Sequence, residues 1–157
     1  MKGTIQDLIW VILIMFVFGL SVIVGNELNI SFQAAASDVV GFDQDILNTA
    51  DTIFTMYDYA FVVMITSAGI GIVISSMFIK THPVFFILSL LLLIIIIPIA
   101  AIFSNVFNYT AINKELISSA NSYPMMLLIM NNLPLIIAIF GILVMAGLYY
   151  ARTVGEV

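Results

Sequence analysis

PVFFILSLLLLIIIIPIAAIFS, residues 83–104, decides the fold of this chain. It carries no ionisable side chain. A bilayer core about 30 Å thick is crossed by roughly 20 consecutive apolar residues in a helix. Pro83 suits the first helical position, where the missing N–H would have had no partner anyway, and Thr81 or His82 would serve as cap. Pro98 breaks the hydrogen-bond ladder inside the run, so a kink is expected there.

Working outward, similar runs flank this one. Residues 60–79 form a second span closed by Lys80, a cation suited to a helix C-terminus. Residues 8–24 form a third apolar run. It follows Lys2 as a signal peptide would, but it exceeds the usual length of about 7–15 residues and reads as a retained span. Residues 133–150 form a fourth, opened by Asn132 and Pro134 as cap and first turn. It is closed by Tyr149, Tyr150 and Arg152, an interfacial anchor. Hydrophobic residues make up 63% of the 157 residues and charged residues 8%, far from the balance of a soluble domain. The expected fold is all-α: one polytopic membrane domain over 1–157, with about four transmembrane helices and an amphipathic helical segment outside the bilayer.

That outside segment is 26–58. It holds Glu27, Asp38, Asp43, Asp45, Asp51 and Asp58, and no Lys or Arg. Val39, Ile46, Ala50, Ile53, Phe54, Tyr57 and Phe61 recur at helical spacing. Gly41 is a plausible break, and a helix is expected from about Gln44 straight into the second span. Asp38, Asp43, Asp45, Asp51 and Asp58 are the candidates for contact with partner proteins, against the plainer reading of a solvated polar face. The second outside segment, 105–132, includes Lys114, Glu115 and the apolar patch Met125–Met130. That patch is too short to span and is expected to be re-entrant or to lie at the surface.

With four spans, the N-terminus, the 80–82 turn and the C-terminus share a side. Lys2, Lys80 and Arg152, three of the four basic residues, fall there, and seven of the nine acids fall on the other. Basic residues stay cytoplasmic, so both termini are expected inside.

Little here points to chemistry. The chain has no cysteine, which removes disulfides, thiol nucleophiles and thiolate metal sites. His82 is the only histidine, and it reads as a polar cap rather than a ligand or a pH sensor. Asp43, Asp45 and Asp51 lack the order of a calcium loop. Catalytic and nucleotide-binding motifs are missing. No catalytic, metal or cofactor-binding residue is assigned. A net charge of −5 argues against nucleic acid as a partner. Asn29 and Asn108 head two weak glycosylation triplets on the outer side.

No Asp, Glu, Lys, Arg or His lies inside any of the four runs, whereas ion and proton pathways usually require such groups. A proton-coupled transporter is not expected. Ser67, Gly71 and Ser75 recur every four residues, with Gly69 and Ser76 beside them. Small residues let helix backbones approach closely. The contact is either with another span of the chain or with a second copy.

Two stretches carry a resemblance: Lys80-Thr81-His82-Pro83-Val84-Phe85-Phe86 and Met130-Asn131-Asn132-Leu133-Pro134-Leu135. With the N-terminal span and the acidic segment, the chain resembles small integral membrane proteins of tailless icosahedral viruses that hold a membrane beneath a double jelly-roll capsid. The resemblance implies a structural component of a virion's internal membrane, with lipids and other membrane or capsid proteins as partners in a homo- or hetero-oligomer. It assigns no catalytic residue. The competing expectations are an oligomeric, holin-like pore and a small accessory subunit of a membrane transport complex.

Overall fold

The computed structural model describes residues 5–36, 44–79 and 83–154. Among these the chain forms six helices and no strand: α1 (Ile5–Ala36), α2 (Gln44–Met77), α3 (Pro83–Ala111), α4 (Ile117–Asn121), α5 (Pro124–Asn131) and α6 (Leu133–Val154). Helices α1, α2, α3 and α6 are long and apolar enough to cross a membrane. The protein is an all-helical, multi-pass membrane bundle. In lipid only segments that satisfy their own backbone polar groups can span, which is why such apolar runs become helices. Pro83 opens α3, and Pro98 lies within it.

The four spans form a ring in the order α1, α2, α6, α3, so α2 and α3 lie on one diagonal. Helices α1 and α2 run antiparallel, with Gly25 beside Phe54 and Gly19 beside Phe61. Helices α2 and α6 run parallel. A Cβ on Gly69 would overlap the Phe140 ring, and one on Gly147 would overlap the Ser76 hydroxyl. Close approach thus comes from Gly69 and Ser76 on α2 and Gly147 on α6. In lipid such packing, rather than water exclusion, drives helix association. Phe16 and Phe103 join α1 to α3 edge to face, ring centroids 4.7 Å apart. The middle of the ring is filled by side chains such as Phe61, Ile96, Phe107, Met126 and Leu133, all inaccessible to solvent.

Two helices run on beyond the expected spans: α1 continues past Val24 to Ala36, and α3 continues past Ser104 to Ala111. Segment 26–58 is therefore mostly the end of α1 and the beginning of α2, packed on one another. Beyond Asp58, α2 carries no Asp, Glu, Lys, Arg or His as far as its end at Met77, a distance of about 28 Å at 1.5 Å per residue. The residues of α2 before Asp58 extend it about 20 Å further. Segment 105–132 is likewise ordered, as the end of α3 followed by α4 and α5.

Candidate functional site at the acidic end of the bundle

The polar groups gather where α4 and α5 close one end of the ring, and α5 is the centre of the arrangement. It begins with Pro124, and Tyr123 before it supplies no side-chain cap. The free N–H groups of its first turn must find an acceptor. They find it on another helix. Met125 N–H donates to Asp58 Oδ2 at 3.1 Å and Met126 N–H to Asp58 Oδ1 at 2.7 Å. An anionic carboxylate also complements the positive end of the helix dipole. At the other end of α5, the Ser104 hydroxyl donates to the Asn131 carbonyl at 3.2 Å. Asp58 belongs to α2 and Ser104 to α3, the two helices on the ring's diagonal. Helix α5 is thus a strut across that diagonal, fastened at each end by a side chain from a span.

Helix α4 is tied to α1 in the same way. The buried Ser119 hydroxyl donates to Glu27 Oε2 at 2.6 Å. Further out, Asn29 Nδ2 and Gln33 Nε2 on α1 both donate to Asp51 Oδ1 on α2, each at 3.4 Å. Tyr123 sits among these groups with 1% of its surface exposed. Burial, and then the negative charges of Asp51 and Asp58, push its phenol up to about 12. Removing a phenolate from water and placing it beside carboxylates both favour the neutral form.

The acids proposed as partner contacts divide. Asp58 is 6% exposed and spent on the α5 N-terminus, so it is a fastening group and not a solvated contact. Asp51 is exposed but holds α1 to α2. Asp45 is exposed on the first turn of α2. Asp38 and Asp43 lie outside the described residues. Of the small-residue stripe, Ser67 and Gly71 are exposed and Ser75 is half-buried. A Cβ on Gly71 would meet nothing within 4 Å. The Ser67 hydroxyl turns back onto the Val63 carbonyl at 2.6 Å. That face is therefore not where α2 meets another span. Ser21 and Ser76 also bond carbonyls of their own helices, which leaves them without polar demand on a neighbour.

Thr81 and His82 lie outside the described residues, while Pro83 is the first residue of α3. Asn132 acts differently from expectation. Its side-chain Nδ2 donates backward to the Leu128 carbonyl at 2.7 Å, closing α5, and only its backbone carbonyl receives the Ile136 N–H that opens α6. Pro134 follows in the first turn of α6. Asn29 and Asn108 both lie within helices. The fastening roles of Glu27, Ser104 and Ser119 have no local sequence signal. The one available clue to Asp58 was Pro124 opening a helix with no capping side chain before it.

Each carboxylate at the centre of this cap, Asp58, Glu27 and Asp51, accepts a hydrogen bond from a backbone or side-chain donor. Among the described residues no group of three or more His, Cys, Asp or Glu could hold a metal ion. Comparison with family models, with curated proteins and with solved structures found no match.

Proposed function

We propose that the protein is a structural component of a membrane: a sealed helical plug that organises lipid and presents its acidic outer end to partner proteins. The carrying observation is the use made of the polar groups. Asp58, Ser104, Glu27 and Ser119 all join one helix to another. Such bonding serves rigidity rather than turnover. The ring's interior is filled by apolar side chains, so an ion entering it would lose its water without gaining the charged or carbonyl partners from which filters are built. The resemblance of 80–86 and 130–135 supports a virion's internal membrane as the location, and the distribution of basic residues supports an orientation with both termini inside.

Liposomes carrying the purified chain test this reading. They should retain a trapped fluorescent dye and an imposed potassium gradient. Dye release at low protein-to-lipid ratio would overturn it in favour of an oligomeric pore. One observation favours that second reading: the exposed Ser67–Gly71 face of α2, open to a neighbouring copy.

A further inference from the structure

The spans differ in apolar length. Helix α1 is apolar enough to cross a membrane over all 32 of its residues, Ile5–Ala36, whereas α6 is so over 19, Leu133–Ala151. At 1.5 Å per residue these are about 48 Å and 28 Å. The excess lies at the acidic end. Helix α4 is tied to α1 at Glu27, and α1 continues from there to Ala36, about 13 Å beyond the cap. Trp10, Ile14, Val17, Val24, Leu28 and Phe32 are exposed on α1, and Ser21 in the same row turns its hydroxyl onto the Val17 carbonyl. Spaced by three or four residues, they make one unbroken stripe along the helix. On α2, exposed Ile53 and Met56 likewise continue the row of Val63, Ile70 and Ile74. The polar groups of these extensions are satisfied within the bundle. Asn29 and Gln33 donate to Asp51, and Ser119 to Glu27. The Thr49 and Thr55 hydroxyls return to carbonyls of their own helix. Lipid, which offers no hydrogen bonds, demands this of any helix it surrounds.

We infer that acyl chains cover α1 and α2 beyond the cap, so that the lipid-covered belt of the protein is a wedge, tall along α1 and α2 and short along α6. The inference rests on the structural reading above and says how the lipid is organised. Continuity selects the occupant. The stripe has no break between the part of α1 within the ring and the part beyond the cap, and no ionisable side chain stands in it. The short side ends differently: Asn131 and Asn132 are exposed before α6, and Asn113, Lys114 and Glu115 are exposed after α3. A bilayer core of about 30 Å matches α6 as it stands. Beside a longer apolar stretch the bilayer thickens or the helix tilts. The membrane surface therefore slopes across the molecule.

Trp10 is the only tryptophan, so in a Trp10→Phe chain a single placed indole reports its surroundings. The full chain is reconstituted in phosphatidylcholine liposomes at low protein-to-lipid ratio, and Phe32→Trp is compared with Asn113→Trp. Asn113 lies between Phe107, which packs on Gly19, and α4, which is tied at Glu27, so it stands nearer mid-membrane than Phe32. Phosphatidylcholine brominated on its acyl chains should remove most of the Phe32→Trp emission, and iodide in the water should remove little. Asn113→Trp should show the reverse. Both side chains are exposed, so the variants should fold, and Leu28→Trp, one turn away, repeats the reading if Phe32→Trp loses helix. Iodide quenching of Phe32→Trp as strong as that of Asn113→Trp puts the extension in water and overturns the inference. Quenching by neither agent, or by bromolipid only after further dilution in lipid, shows that protein covers the stripe and overturns it too. Equal bromolipid quenching at both positions abolishes the slope and overturns the wedge. Dye-tight liposomes with Phe32→Trp in water would leave the structural reading standing. Leaking liposomes would overturn that reading, while the wedge is decided by the quenching.

Discussion

At the scale of single residues, the protein depends on groups whose partners lie far away in the chain. Asp58 and the N–H of Met125 are separated by 67 positions. Nothing within a helical turn of Asp58 announces that partner, so the sequence shows one more acid in an acidic run. Asp58→Ala should cost about 3 kcal/mol, since it strands buried donors that had charged acceptors. Asp58→Asn should cost roughly half as much, because one carbonyl acceptor survives. Thermal unfolding in detergent measures both, and an unchanged midpoint for Asp58→Ala would refute the strut. Tyr123 gives a second test. Its phenol is raised in the folded chain to about 12, against about 10 when unfolded. Unfolding thus releases a proton once the pH passes about 10. The stability that Tyr123 confers is fully present below that pH and is lost as the pH climbs towards 12. Tyr123→Phe should remove this part of the alkaline loss, as seen by comparing unfolding midpoints between pH 9 and 12.

Among the elements, the spans were the legible part. Their apolar runs exceed what any soluble core could hide, and Pro83 marks the start of α3 as its missing N–H requires. The outer third of α1 was not legible, because Asn26, Glu27 and Asn29 read locally as loop. They are helical since Glu27 and Asn29 find partners on α4 and α2. The contact between spans of the chain lies on a different stripe for a related reason. Ser67, Gly71 and Ser75 form the more regular small-residue pattern, yet the α2–α6 seam runs through Gly69 and Ser76. Spacing identifies a stripe but not which stripe faces a neighbour. Two leucine substitutions separate these faces. Gly147→Leu should disrupt the bundle, because a Cβ there would overlap the Ser76 hydroxyl, and overpacking of this kind costs about 1–3 kcal/mol or more. Gly71→Leu should leave the unfolding midpoint of the monomer unchanged. If it lowers the midpoint only in samples that cross-link as oligomers, that face is a contact between copies.

For the molecule as a whole, four spans place Asn113 and Thr153 on opposite sides of the membrane. Because the chain has no cysteine, Asn113→Cys and Thr153→Cys each introduce a single thiol at an exposed position. A membrane-impermeant reagent applied to oriented membranes should label one and spare the other, and labelling of both from one side would refute the topology. The site was less legible than the topology, since a cap assembled from α1, α2, α3, α4 and α5 exists only once the spans are in place. That dependence has a counterpart in time. A ribosome adding 5–20 residues per second makes α5 roughly 3–13 s after Asp58. Through that interval the Asp58 carboxylate has only water for a partner, and α2 and α3 have no strut between them. The newborn protein is therefore an open hairpin of α1 and α2 first and a closed ring last. A chain released before α5 should remain accessible to proteases at its acidic end, and the arrival of Met125 and Met126 should shut that end.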